Sequence, residues 1–463
     1  MLQFSVFFYI LTRLKIKKNT IVFTVFVGLC LCCNALIFAQ SGFNFEKGVK
    51  KDKIVFELIN NLVIVPVELN GEKLSFLLDT GVNATILFGV TQADSIRVND
   101  IKPVKLRGLG GGEGVEAYVS RNNIITLGQA TDRSHSIYII FDKTLNFSPR
   151  MGVPIHGILG YDFFKKFIVK VDYIGKKITF YDPSADRPRI GRAFQSFDLN
   201  FRKNKPYVDF DVSLAQKQKT ATLLVDSGSS DALWLFDEEH SIIEVPKNYF
   251  SDFLGLGLSG HIYGKRSKIE KMDIGRFQLS EVNVAFPNKA ALEDVVLVEG
   301  RDGSLGGDVL KRFTVIFDYP SRKMYLRRNG NFNQPFNYNM SGLTIEHSGM
   351  TLVKDIDNST SDFRNSDRMN ESISKVTIQV SPVFKFFMAP RFVVADVREN
   401  SPAGRAGILE GDEILSINGK PAFRFELYQI ISLFTSDEGK RISLQVDRAG
   451  NVFKVKFKLQ KVI

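Results

Sequence analysis

The chain has 463 residues, 44% hydrophobic and 24% charged, with 61 Lys and Arg against 50 Asp and Glu and a formal net charge of +11. This is a globular composition, long enough for two or three domains. The basic excess is modest for the length, and no Lys/Arg block with interleaved aromatics stands out, so the reading is a mildly basic surface with no nucleic-acid partner.

The N-terminus reads as an export signal. Arg13, Lys15, Lys17 and Lys18 precede TIVFTVFVGLCLCCNALIFAQSG, an uncharged, mostly apolar run that closes on small residues. That is the order of a secretory signal, with cleavage after Ala39 leaving Gln40 first. The run from Thr20 to Ala39 also reaches the roughly 20 residues that span a bilayer. Residues 1–39 are therefore expected to be either a cleaved signal or a single N-terminal membrane anchor. Cys30, Cys32 and Cys33 all lie in this run and lack the small preceding residues of lipoprotein processing. The exported part then has neither a disulfide nor a cysteine nucleophile.

Next along the chain, VIVPVELNGEKLSFLLDTG ends at Gly81: an alternating strand, an Asn-Gly hairpin signal, a second strand and an Asp-Thr-Gly turn. PYVDFDVSLAQKQKTATLLVDSG, ending at Gly228, has the same shape, and Asp226 follows Asp79 by 147 residues. The offset persists downstream. NNIITLG ends at Gly128 and KMDIG at Gly275; HGILGYDFFKKFIVKVDYIGKKITFYD starts at His156 and DGSLGGDVLKRFTVIFDYPSRKMYL at Asp302. Between them lie Gly-rich stretches, LRGLGGGEGVEAY at 106–118 and LGLSGHIYG at 256–264. Separate segments holding one offset to within a residue mark an internal repeat. Each copy reads as mainly β with one short helix after its late glycine. The expected units are 50–185 and 193–330, joined by the Pro-containing stretch DPSADRPRIGR at 182–192.

If two such units pack about a pseudo-twofold axis, Asp79 and Asp226 meet. Two adjoining carboxyls cannot both ionise cheaply, so they share a proton. The ionised member can then activate a water, and the protonated member can polarise a peptide carbonyl. Nothing in the pattern asks for a metal or other cofactor. His135, His156, His240, His261 and His347 lack ligand spacing, and no nucleophile-elbow motif supports Ser-His-Asp chemistry.

LLDTG and LLVDSG, each followed by a Gly-rich stretch and then by ILG (158–160) or SLG (304–306), resemble retropepsin-type aspartic proteases, with both lobes in one chain as in the pepsin-like arrangement. The resemblance covers about residues 50–330 and implies a two-lobed β-barrel protease fold that acts as a monomer. It makes Asp79 and Asp226 the catalytic pair. Thr80 and Ser227 would tie the active-site loops together, and Gly81 and Gly228 would let them approach. Ile158, Leu159 and Gly160, with Leu305 and Gly306, would brace the loops from below. Gly110 and Gly111 in one copy, and Gly257 and Gly260 in the other, would belong to flaps. Ser229 occupies the place of a hydroxyl that donates to the catalytic carboxylate, whereas its counterpart Val82 cannot donate. The implied consequence is that Asp226 is the better stabilised anion, Asp79 the readier to hold a proton, and the working pH closer to neutral than in strongly acidic relatives.

The last unit, 336–463, differs. RFVVADVRENSPAGRAGILEGDEILSINGKPAF (391–423), an amphipathic helix over 425–434 and a hairpin in 441–459 closely resemble a bacterial PDZ domain, an α+β, partly open barrel. Such domains take a peptide as an added strand beside a helix and hold its carboxylate on backbone N–H groups. The resemblance places that loop in MSGLTIEHSG (340–349), at Gly342, Leu343 and Ile345, ahead of a polar insertion at 357–372. The expectation is an exported bacterial aspartic endopeptidase, in the periplasm or cell envelope, whose PDZ domain takes a peptide or protein C-terminus to recruit or position substrate. Two alternatives stand beside it: a catalytically silent peptide-binding protein that uses the cleft and the PDZ groove, and an enzyme held latent until that groove is engaged.

Overall fold

A computed structural model describes residues 42–89, 96–106, 114–141, 146–214, 216–236, 243–257, 260–292, 300–356 and 384–463. The expected signal or anchor at 1–39, Gly110 and Gly111, and the insertion 357–372 lie outside the described residues. Among those described, no helix is long and apolar enough to cross a membrane.

The chain is mainly β, and its described residues form four sheets. In the first lobe, strands Leu62–Leu69 and Glu72–Leu78 form a hairpin through Asn70 and Gly71, both at positive φ. That geometry is what an Asn-Gly turn supplies between right-twisted strands. Glu72–Leu78 runs straight into Asp79. Beside it lies the short strand Gly157–Leu159, parallel to Phe76–Leu78 and antiparallel to Thr85–Leu87. The second lobe repeats this arrangement. Lys205–Leu214 and Lys217–Val225 form the hairpin that ends at Asp226, and Gly303–Leu305 lies parallel to Leu223–Val225 and antiparallel to Leu233–Leu235. The short helices Tyr161–Phe164 and Gly307–Leu310 follow, each after its late glycine. The first lobe also draws in residues before 50: Asn44–Phe45 pairs with Ala130–Thr131, and Phe43 is buried.

One six-stranded sheet belongs to both lobes. Lys51–Val55, Lys177–Tyr181 and Ile168–Asp172 come from the first; Phe313–Asp318, Lys323–Arg328 and Gln195–Asp198 come from the second. The halves join where Ile168–Asp172 pairs antiparallel with Phe313–Asp318, with Lys170 opposite Ile316. Above this sheet one hydrophobic cluster runs through both lobes, with edge-to-face contacts such as Phe164 with Phe317.

The C-terminal unit has its own sheet and core. Strands Leu343–Ile356 and Phe384–Val397 form a long hairpin arm, and Asn451–Lys458 pairs with Arg441–Arg448 through Ala449 and Gly450, both at positive φ. The expected helix begins at Leu427, because Glu426 is its N-cap and exchanges hydrogen bonds with Gln429 in a capping box. Leu427, Ile430 and Phe434 are its buried face. The unit is fastened to the second lobe by Tyr338, whose hydroxyl shares its one proton between Ser267 O (2.6 Å) and Val284 O (3.0 Å).

Candidate active site

Each Asp stands where its strand ends, with its backbone fixed by the neighbouring short strand. Asp79 N–H donates to Leu159 O (3.0 Å) and Asp226 N–H to Leu305 O (2.9 Å). The two loops then exchange a symmetric set of buried hydrogen bonds. Thr80 N–H donates to Ser227 Oγ (3.0 Å) and Ser227 N–H to Thr80 Oγ1 (3.0 Å). The hydroxyls pass the contact on, Thr80 Oγ1 to Val225 O (2.7 Å) and Ser227 Oγ to Leu78 O (2.8 Å). Four bonds thus lock the loops across the lobe boundary, each hydroxyl both accepting and donating.

The glycines allow the approach. Gly81 N–H donates to Asp79 Oδ1 (2.6 Å) and Gly228 N–H to Asp226 Oδ1 (3.1 Å). A methyl group on Gly81 would lie 2.8 Å from Asp226 Oδ1 and 3.1 Å from Asp79 Oδ1, and one on Gly228 would collide with the Asp79 carboxylate. Both carboxyls therefore converge within a few ångströms. Gly160 and Gly306 close the loops from beneath, packing on Val82 O and Asp231 O.

Burial and proximity raise both acids. Asp79 is pushed up to about 8, first by loss of solvent and then by the charge of Asp226, against the opposing pull of the Gly81 N–H. Asp226 is also raised by burial, but Arg301 and then Lys205 pull it back, and it accepts a hydrogen bond from Asp79. The neighbouring cations thus bias the shared proton toward Asp79. The direction agrees with expectation, but the cause does not. Ser229 is held by its backbone, its N–H donating to Asp226 O (3.3 Å) and its carbonyl accepting from Gly307 N–H (2.7 Å), and no hydrogen bond joins its hydroxyl to the Asp226 carboxylate. The two cations do the work assigned to that hydroxyl.

Lys205, Arg301 and their neighbour Tyr207 are the site residues that sequence reasoning missed. The signal was available in the strand register. Tyr207 pairs with Leu224, so Lys205 falls opposite Asp226. Below the pair, Tyr319 is buried within electrostatic range of Asp79, which raises its phenol further.

Gly257 and Gly260 face each other at the end of the hairpin Phe250–Gly257/Gly260–Ile274, the second lobe's flap-like arm. Its first-lobe counterpart is the hairpin Lys102–Leu106/Val115–Leu127. Leu256, near the tip of the second arm, packs with the first lobe's apolar wall.

The loop predicted to take a carboxylate is differently occupied. Gly342 N–H donates to Asn339 Oδ1 (3.2 Å) and Leu343 N–H to Ser341 Oγ (3.0 Å), so these donors are engaged within the loop. Leu343 and Ile345 are buried in the C-terminal core rather than lining an open groove. The first lobe's helix Ser148–Met151 lies against both the strand Leu343–Ile356 and the helix Leu427–Phe434. Gly152, just after it, abuts Leu427, and Tyr428 packs with Phe147 and Met151. A cavity of about 780 Å³ between the second lobe and this unit, bordered by Phe250, Tyr263, Arg398 and Arg405, is lined by neither carboxylate.

Comparison with family models matches residues 65–163 to the family described as aspartyl protease and residues 393–448 to the PDZ domain. No curated protein matches the chain. Among solved structures it is similar to the aspartic proteinase from Irpex lacteus, at 13% identity and a TM-score of 0.38, over 61% of this chain and 99% of that one.

Proposed function

We propose that this chain, which carries an aspartyl protease domain and a PDZ domain, is an exported bacterial endopeptidase in which Asp79 and Asp226 activate a water. The observation that carries the reading is the buried dyad itself: two carboxyls locked by the Thr80–Ser227 exchange, with the proton biased to Asp79. Asp226, the anion, takes a proton from water as the oxygen attacks the scissile carbonyl carbon. Asp79 gives its proton to the carbonyl oxygen, so that no full negative charge develops there. Collapse of the tetrahedral adduct returns one proton to Asp79 and delivers the other to the leaving amine.

The docked helix Ser148–Met151 favours a refinement, an enzyme held latent until a polypeptide C-terminus takes the PDZ groove. The test is cleavage of a diverse peptide mixture from pH 4 to 8 by the chain, by Asp79→Asn and by Asp226→Asn. Products lost in both folded variants support the dyad. Products that appear only after a C-terminal peptide is added support latency. Silence with and without such peptides would leave a binding protein. Comparing the mass of the exported protein with that of the full chain tests export and cleavage after Ala39.

A further inference from the structure

The two lobes present the same positions to the dyad with different chemistry. Continuing the register Ile64–Leu77 by two residues puts Leu62 opposite Asp79, and continuing Tyr207–Leu224 puts Lys205 opposite Asp226. Two residues before Gly157 stands Ile155; two before Gly303 stands Arg301. The first lobe thus offers Leu62, Ile64 and Ile155, which belong to one apolar cluster with Ile86 and Phe88. The second offers Lys205, Tyr207 and Arg301.

These three polar groups converge on one place. Lys205 and Tyr207 share a face of their strand, because Val208 and Phe210, from the other face, lie in the core. Arg301 is buried, fixed by Nε donating to Gly303 O (3.0 Å) and Nη2 to Ser304 Oγ (2.5 Å), with its guanidinium 5.0 Å from the Phe236 ring. Its Nη1 donates to no described residue, Lys205 feels the charge of Asp226 and Asp79 but forms no close ion pair among the described residues, and the Tyr207 hydroxyl is buried there without a hydrogen-bond partner. Two cations here face a dyad that shares one proton and so carries a single negative charge, and the positive charge left over, with the unpartnered phenol, is costly unless a second anion joins them.

We infer that Lys205, Tyr207 and Arg301 form a carboxylate-binding subsite on the second-lobe side of the cleft, opposite an apolar subsite built on Leu62, Ile64 and Ile155. The ligand group is a carboxylate, from an Asp or Glu side chain or from the free C-terminus of a short peptide. Recognition needs a planar anion that can accept from Arg301 Nη1 and the Tyr207 hydroxyl at once. The position in the cleft rests on the endopeptidase reading; the binding itself does not.

The test uses peptides with a reduced, non-cleavable bond, an apolar residue on one side and Glu or Gln on the other, each with an acid or amide C-terminus. Calorimetry on the purified full chain is expected to show one carboxylate form binding about tenfold tighter or more than its amide twin. The Glu/Gln arm and the acid/amide arm tell side chain from terminus. Lys205→Leu, which copies the first lobe, should erase the preference, Lys205→Arg should keep it, and Tyr207→Phe should weaken it. Equal affinity of the twins, binding of neither, or a preference that survives Lys205→Leu overturns the subsite. Acid-selective binding without cleavage of the ordinary peptides would sink the endopeptidase reading alone. Cleavage that ignores the carboxylate would sink the subsite alone.

Discussion

The first and second lobes share a backbone plan but divide its chemistry. Each has a hairpin ending in Asp, a hydroxyl residue, a glycine and a short parallel strand beneath. The equivalent positions Ser75 and Thr222 show how far the plan holds while residues change. Ser75 N–H donates to His156 Nδ1 (3.0 Å), and Thr222 N–H donates to Asp302 Oδ2 (2.8 Å). An imidazole and a carboxylate do one job at one place. Near the dyad, the parallel stops being conservative. Leu62 stands where the second lobe has Lys205, and among the described residues the second lobe's cations act on the dyad, Arg301 on Asp226 and Lys205 on both acids. Backbone symmetry positions the two carboxyls, and side-chain asymmetry decides which of them keeps the proton.

The sharpest way to break this symmetry is at the glycines. Gly228→Ala drives a methyl group into the Asp79 carboxylate, and Gly81→Ala reaches Asp226 at 2.8 Å. Both should lower kcat/KM by about 100-fold or more, Gly228→Ala the more severely, because misplacing a reacting group by an ångström costs on that order.

Protonation comes next. A carboxyl whose folded pKa stands above its unfolded one binds protons more tightly in the native state. Its stabilising contribution is complete below pH 3.8 and is lost as pH rises through the folded value, about 8 for Asp79. The ionising dyad therefore weakens the fold between those limits. Asp79→Asn should melt higher than the parent at pH 8, by several degrees, with the advantage vanishing near pH 4. Thermal melts across that range decide it, and a constant difference would show that Asp79 is not raised.

The exchanged hydroxyls come third. Thr80→Val and Ser227→Ala each remove two buried bonds, and each should cost about 2 kcal/mol in denaturant unfolding. Equal losses would confirm that the lock is symmetric; unequal ones would identify the lobe that leads. The smallest effect is Val82→Ser. It adds a hydroxyl where the second lobe's own Ser229 leaves Asp226 untouched, so the pH–rate profile should move by less than about half a unit, since a donor that reaches no carboxylate exerts little pull on its pKa.

The mainly β fold, the hairpins that end at Asp79 and Asp226 and the C-terminal unit were legible, because motif and turn chemistry such as Asn70-Gly71 are properties of the string itself. The Lys205 group was not. NLVIVPV and NKPYVDF stand at matching places in the sequence, but the contrast gains meaning only when register puts 62 and 205 opposite the acids. Ser229 misled for a related reason: residue type announces a donor, while the backbone bonds that aim it are tertiary. The Gly342 loop was read as an open nest, and it is Asn339, a few residues upstream, that fills it.

The sheet shared by the lobes also sets a timetable for synthesis. Ile168–Asp172 emerges from the ribosome with its edge exposed, and its partner Phe313–Asp318 follows about 145 residues later. At about 5–20 residues per second, the first lobe waits on the order of 10–30 s with an unpaired strand and half of a lock. An exposed edge is a template for any other strand. During that interval the nearest complementary edge is the same strand on another nascent copy, and the second half of the chain acts as its own belated chaperone.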